Sequence, residues 1–356
     1  MAAALRRPVA PDDIIAIAVS GGPDSMALLA LAEAAWPGQV IAATVDHGLR
    51  AEAADEAAMV ADYCLTLGTS PAKAGAQSRN ADDDAHHKPI KTFPTGPRPS
   101  PGNGSGQSIP HTTLTPATPL GTANLQAAAR TARYALLTDW ARDAGATILT
   151  TAHHADDQAE TFLMRAARGS GLAGLAAIRP RQQIEHNLIL LRPLLDWRSA
   201  ELRTLAEGWK LPFVDDPSNA SARYDRTRFR TLLNQNPWLD ADQIARSAAH
   251  LAEIDHDLRA LEIWLLETHG LPANPGERRS DVAGLPREVR RRLARATITA
   301  VRTDRAILTP AWTPATNIES LLDALEAGKG ATQAGVMASA TANIWRFRAA
   351  PPRRNT

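Results

Sequence analysis

The residues best placed to do chemistry are Ser20-Gly21-Gly22-Pro23-Asp24-Ser25, directly after the apolar run 14–19. Glycines let a backbone approach an anion closely, and the N–H groups that open a helix can hold phosphate. Ser20 and Ser25 add hydroxyl donors. Asp24 is the odd member, because a carboxylate repels phosphate unless a cation lies between them. Donors for phosphate with one carboxylate for Mg²⁺ suggest a nucleoside triphosphate site, with Asp24 as the metal ligand. The spacing matches neither G-x-x-x-x-G-K-[ST] nor G-x-G-x-x-G.

A second constellation is Thr151-Ala152-His153-His154-Ala155-Asp156-Asp157-Gln158-Ala159-Glu160, which follows a strand and opens a helix. Acidic residues in a first turn suit the helix dipole. That alone does not account for the paired histidines. Asp157 and Glu160 are i,i+3 neighbours on one face and could hold a cationic amine or a metal. His153 and His154 could donate to phosphate oxygens or to a developing oxyanion. Adjacent histidines exclude an H-E-x-x-H zinc site.

Weaker signals surround these two. Asp46-His47-Gly48-Leu49-Arg50 is polar for a strand tip. Arg130 and Arg133 lie one helical turn apart, either on a solvated face or with one arginine turned toward phosphate or substrate. Arg168-Gly169-Ser170-Gly171 is as readily a helix end as a ligand loop. Arg223, Arg226, Arg228 and Arg230 interleave with Tyr224 and Phe229, a pattern that can grip phosphates and stack on unpaired bases. Residues 286–295 add Arg287, Arg290, Arg291, Arg292 and Arg295, a basic helical face that could track an RNA backbone.

Positioning these residues requires an alternation of strands and helices. Strands are expected at 14–19, 40–45, 111–114, 147–151 and 188–191, and helices at 26–35, 53–67 and 125–144. The ligand edge of such a sheet is its carboxyl end, where Ser20, Asp46 and Thr151 fall. Residues 71–110 are rich in Pro and Gly and read as a flexible insertion. Beyond residue 200 the apolar spacing turns helical, and 331–347 resists placement. The expected fold is α/β, with residues 1–200 forming a parallel-sheet catalytic domain and 201–356 a smaller, mainly helical region.

The 356 residues carry 44% hydrophobic and 22% charged side chains, as in a soluble globular protein. A lone Cys64 excludes a disulfide framework and a Cys-based zinc site. No apolar leader or span is evident, so a cytoplasmic protein without membrane attachment is expected. Residues 1–196 hold 16 Lys and Arg against 19 Asp and Glu, and the remainder 23 against 19, which places polyanion contact mainly in the C-terminal part.

The SGGPDS loop resembles the pyrophosphate-binding loop of the N-type ATP pyrophosphatases. With VDHGLR (45–50), NLQAAARTARY (124–134), the block 151–175, LRPLLDWRSAEL (191–202) and DDPSNASARYDRTRFR (215–230), the chain resembles the tRNA(Ile)-lysidine synthase family. That resemblance implies a PP-loop domain of the adenine nucleotide α-hydrolase type. It also implies a ligase using ATP, Mg²⁺ and L-lysine to convert the wobble cytidine of a CAU-anticodon tRNA(Ile) to lysidine. Ser20 to Ser25 would bind ATP, and Asp24, Arg130, His153, Asp157 and Glu160 would serve catalysis. Arg223, Arg226, Arg228 and Arg230 would meet tRNA. No obligate protein partner is evident. A tRNA thiolase on the same fold would need paired cysteines, and a non-catalytic RNA-binding protein would have no use for intact Ser20, Asp24, Asp157 and Glu160.

Overall fold

A computed structural model describes residues 5, 7–48, 52–67, 108–117, 125–215, 225–313 and 316–351. The chain divides into two compact units, Met1–Ala252 and Glu253–Thr356. The first is an α/β unit whose strands are β1 (Ile15–Ala18), β2 (Val40–Val45), β3 (His111–Leu114), β4 (Ile148–Thr150), β5 (Arg181–Glu185) and β6 (Leu188–Leu191). Its helices are α1 (Pro23–Ala35), α2 (Glu52–Leu67), α3 (Leu125–Asp143), α4 (Ala155–Ala166), α5 (Leu172–Leu175), α6 (Ser199–Gly208) and α7 (Asp225–Gln235). The strands form one sheet in the order β3-β2-β1-β4-β6-β5, parallel except for the β5–β6 pair.

Burial on both faces explains why β1 reads as an unbroken apolar run rather than an alternation. Ile15, Ala16 and Ile17 have no exposed surface. The chain leaves β1 toward β2 on one side, while β4 lies on the other, so the order reverses at β1. The carboxyl ends of β1 and β4 therefore border a crevice, the usual ligand position in an open parallel sheet. The loops that follow these two strands are Ser20–Ser25 and Thr151–His154.

The first unit extends past the boundary expected at residue 200. Leu202, Leu205, Ala206 and Trp209 of α6 join the same apolar cluster as Leu28 and Leu29 of α1. Arginines of α7 bond to α4. The expected insertion also ends earlier than residue 110. Ile109 is buried in the core, its N–H bonds Cys64 O at 3.1 Å, and Pro110 O accepts from Ala42 N at 2.8 Å. The rest of that segment, to residue 107, lies outside the described residues, as do Leu49, Arg50 and Arg223. Strand β5 went unread because its sequence, RQQIE, is polar and sits at the sheet edge.

The second unit adds a sheet to the helices that the spacing implied. Strands β7 (Gly270–Leu271), β8 (Glu277–Asp281), β9 (Ala331–Gln333), β10 (Val336–Thr341) and β11 (Ile344–Ala349) pair antiparallel in the order β7-β8-β11-β10-β9. The stretch 331–347 that resisted placement supplies three of them. Helices α9 (Arg287–Asp304) and α10 (Glu319–Glu326) close the core around Trp345 and Phe347, with Leu293, Ile298, Leu321 and Leu322. The division between units falls within α8 (Ala241–Thr268). Among the described residues no helix is long and apolar enough to cross a membrane.

Leu202 has no exposed surface and ties α6 to the first core. Leu202→Ala is expected to destabilise the first unit by about 2–5 kcal/mol, seen as a lowered midpoint in chemical denaturation. A midpoint equal to wild type would detach α6 from that core.

Candidate functional site

Gly21 takes φ +82, a conformation that L side chains rarely adopt, and its carbonyl accepts from Val214 N at 3.0 Å. Gly22 is the extended N-cap of α1, and Pro23 opens the helix where its missing N–H costs nothing. Ser25 Oγ donates to Gly22 O (2.9 Å), accepts from Ser20 N (3.1 Å) and lies 3.2 Å from Ser20 Oγ. The loop is thus cross-braced by its own serines. Asp24 points from the first turn of α1 toward α4 and α6. Its Oδ1 accepts from Ser199 Oγ at 3.1 Å, and its Oδ2 lies 3.5 Å from His154 Nε2. Burial raises the Asp24 pKa, as do Asp157 and Asp156, against the opposing pull of His154 and the Ser199 hydroxyl.

His154 caps α4. Its backbone N–H donates to Asp157 Oδ2 at 3.1 Å, and Asp157 N–H approaches His154 Nδ1 at 3.4 Å. The ring is buried and faces three carboxylates: Asp24 through Nε2, Asp157 through Nε2 at 3.4 Å, and Asp156 through Nδ1 at 3.5 Å. Burial disfavours the imidazolium, but these carboxylates overcome it and raise the pKa to about 8. In that charged form Nδ1–H donates to Asp156, and the capping bond from Asp157 N–H belongs to the neutral ring.

His153 is the opposite case. Its Nδ1 lies 2.9 Å from Thr151 Oγ1. Burial, helped by Arg192, Arg130 and Arg226 against Asp157, pushes its pKa down to about 3. It is a neutral hydrogen-bonding ring. Asp156 is a bracket between helices: Arg198 reaches it at 2.9 and 2.7 Å, and Ser199 N–H donates to it at 2.8 Å. Burial opposes its charge, yet His154, Arg198 and Ser199 hold its carboxyl below the usual range.

Asp157 and Glu160 share one face of α4, as their spacing implies, and α7 lies across it. Arg226 donates through Nε to Glu160 Oε2 and through a terminal nitrogen to Asp157 Oδ1, both at 2.7 Å. Arg230 Nε donates to Glu160 Oε1 at 2.6 Å. Arg226 and Arg230, expected to face tRNA, are therefore turned inward onto buried carboxylates. Two positive groups one turn apart on α7 match two negative groups one turn apart on α4. Arg228 is exposed on the same helix. Burial favours protonated Asp157, but His154, Arg226 and His153 hold its pKa down.

Arg287, Arg291 and Arg292 of the basic face expected on α9 are likewise paired within the fold. Arg287 pairs with Glu319, Asp323 and Glu326, Arg291 with Glu319 and Glu288, and Arg292 with Glu262 and Glu288. Arg130 lies over the Tyr134 ring, 5.1 Å from its centroid. Arg133 Nε reaches His47 Nε2 at 3.5 Å at the tip of β2, and among the described residues the buried His47 Nδ1 finds no hydrogen-bond partner. Cys64 is buried and its thiol is pushed up to about 12, so it is no nucleophile. Asp156, Arg198 and Ser199 are the site residues that sequence reasoning left without a role or passed over, and His154, read only as a donor to phosphate or an oxyanion, faces three carboxylates. Only the folded contacts reveal them: Arg198 and Ser199 meet Asp156, and Ser199 also reaches Asp24.

The PP-loop domain family matches residues 2–91 and 108–236. A tRNA(Ile)-lysidine synthase of Zymomonas mobilis is 38% identical over 347 residues, 96% of this chain and 89% of that one. Another from Novosphingobium aromaticivorans is 38% identical, covering 97% and 91% respectively. A third, from a Methylobacterium species, is 39% identical over 81% of this chain and 74% of its own.

The folded pKa of His154 stands above the ordinary 6.5. In metal-free protein its charge therefore contributes about 2 kcal/mol of stability, fully present below pH 6.5 and lost as pH rises through about 8. Melting of wild type and His154→Asn from about pH 5.5 to about pH 9 should show a gap that narrows at the alkaline end. A gap independent of pH would mean that His154 stays neutral.

Proposed function

This chain belongs to the tRNA(Ile)-lysidine synthase family of ATP-using PP-loop enzymes, and on that footing we propose that it joins L-lysine to C2 of the wobble cytidine in a CAU-anticodon tRNA(Ile). The reaction is a ligation that forms a carbon–nitrogen bond. The observation that carries this reading is the meeting of two unlike sites at one imidazole. His154 Nε2 lies within 3.5 Å of Asp24 in the phosphate-type loop and within 3.4 Å of Asp157 in the carboxylate pair. A nucleotide anion and a cationic amine would then be held on either side of one charged ring.

Two half-reactions follow. The C2 oxygen of cytosine displaces pyrophosphate from the α-phosphate of ATP, leaving an adenylated base. The free lysine ε-amine then adds to C2, gives up a proton and expels AMP. Ser20, Gly21, Gly22 and Ser25 cradle the ATP phosphates through loop N–H and hydroxyl groups, and Pro23 fixes the backbone that presents them. Neutral His153 suits hydrogen bonding to an oxyanion without adding charge, and Arg130, near enough to lower the His153 pKa, adds a positive field. Asp157 and Glu160 hold and orient the lysine ammonium and take up its proton.

Mg²⁺ favours one or two carboxylates with phosphate oxygens over an all-protein cage. The donor set agrees: Asp24 is the one carboxylate of the phosphate-type loop, with Oδ1 oriented by Ser199 and Oδ2 facing His154. Bound there, Mg²⁺ would neutralise charge gathering on the departing pyrophosphate. Contact with tRNA is assigned to α7 of the first unit and the segment before it, Arg223 included. The enzyme works in the cytoplasm without an obligate protein partner.

Asp24→Ala should abolish adenylation of tRNA while leaving the protein folded, as read by circular dichroism. Lysidine formed at a wild-type rate by that variant would remove the nucleotide role of the loop. Glu160→Gln and Asp157→Asn should spare adenylation and lose the second half-reaction, at a cost of about 2–5 kcal/mol in lysine binding or transition-state stabilisation. Mass spectrometry of tRNA(Ile) after incubation with ATP should then find the adenylated base accumulating. Loss of adenylation in both variants would move these carboxylates from lysine to the metal.

A further inference from the structure

We infer that Ser199 is a positioning residue: its hydroxyl fixes the Asp24 carboxylate as a ligand for Mg²⁺ and so sets how tightly metal and nucleotide are held together. The inference rests on the reading of Asp24 as the metal ligand of the phosphate-type loop, and it adds the residue that holds that ligand in place.

Asp24 is the second residue of α1, where a carboxylate could turn back onto the free N–H groups of its own helix start. It bonds to α6 instead. Ser199 Oγ donates to Asp24 Oδ1 at 3.1 Å, across 175 positions of sequence. The His154 ring faces Oδ2 at 3.5 Å. A neighbour at each oxygen restricts rotation of the carboxylate plane. Each carboxylate oxygen accepts more than one bond, so the hydroxyl leaves Asp24 able to ligate a cation. Metal-ligating carboxylates are ordinarily held by such donors, which orient them and tune the affinity for the metal.

The hydroxyl is not what keeps α6 in place. Ser199 N–H donates to Asp156 Oδ2 at 2.8 Å, and Arg198 reaches Asp156 Oδ1 at 2.9 and 2.7 Å. Arg198 N–H donates to Glu201 Oε2 at 2.7 Å, which caps the helix. One turn on, Leu202 and Leu205 lie in the core that holds Leu28 and Leu29 of α1. None of these contacts uses the Ser199 side chain. Its oxygen makes its hydrogen bond to the one carboxylate of the phosphate-type loop. Removing that oxygen therefore leaves the start of α6 anchored and changes the setting of Asp24 alone.

The test is equilibrium dialysis of radiolabelled α,β-methylene-ATP against the full chain, once with Mg²⁺ and once with EDTA. The ratio of the two affinities is the gain due to the metal, and binding of Mg²⁺ to the nucleotide in solution is common to every variant. Ser199→Ala should lower that gain by about tenfold or more, the usual effect of removing a hydrogen-bond partner from a ligating group, and leave the affinity in EDTA unchanged. Ser199→Cys, close in size but a weak donor, should do the same, and it decides the matter if the Ala variant fails to fold. Ser199→Thr keeps the hydroxyl and should retain most of the gain. A gain of wild-type size in the Ala and Cys variants overturns the proposal. So does an equal loss of affinity with and without Mg²⁺, which would give the hydroxyl to the fold or to the nucleotide. A Thr variant as impaired as Ala also overturns it, since fit rather than donation would then decide. Asp24→Asn separates the two levels and should lose most of the gain. If it keeps the whole gain, the metal reading of Asp24 falls and the role of Ser199 with it; if it loses the gain while Ser199→Ala does not, the present inference falls alone.

Discussion

Carboxylates removed from water must be paired, and α4 sets three of them in its first two turns: Asp156, Asp157 and Glu160. An uncompensated buried charge would cost several kcal/mol, so each one fixes a partner from elsewhere in the chain. Asp156 takes Arg198 and Ser199, which brings the start of α6 against α4. Asp157 takes His154, which in turn faces Asp24 on the loop after β1. Glu160 takes Arg226 and Arg230, which lays α7 across the same helix. One short helix thus gathers the phosphate-type loop and two later helices at the sheet's carboxyl edge.

The same cluster separates two adjacent histidines. His153 and His154 are neighbours in sequence, yet one is held neutral by burial among arginines and the other is charged by three carboxylates. His154 is the N-cap ring that faces the carboxylates, whereas His153 pairs with Thr151 and feels Arg192, Arg130 and Arg226, so the field changes sign between them. A site with one neutral ring and one imidazolium can donate hydrogen bonds on one side and balance anions on the other at the same pH.

Much of this was legible in the residues. The apolar runs gave β1, β2 and β4, the SGGPDS turn lies at the end of β1, and i,i+3 spacing put Asp157 and Glu160 on one face. What escaped has physical reasons. Strand β8 reads ERRSD, with only Ser280 buried, so no hydrophobic pattern marks it. The arginines of α7 and α9 look like RNA-facing charge, because a sequence shows charge but not the acidic partner folded against it. The pairing of Arg226 with Glu160 spans 66 positions and depends on α7 packing on α4. Nor could spacing tell His154 from His153, since the cap geometry decides which ring meets the carboxylates.

The hydrogen bond between Ile109 N–H and Cys64 O joins the end of α2 to the approach to β3. Whatever chain runs between these residues therefore starts at the end of α2 and finishes beside it, one hydrogen bond away. In polymer terms it is a closed loop whose ends the core has already brought together. The entropy of closing such a loop grows only with the logarithm of its length, about 0.6 kcal/mol for each doubling. Length at this point is thermodynamically cheap to vary without disturbing the pairing of β2 with β3.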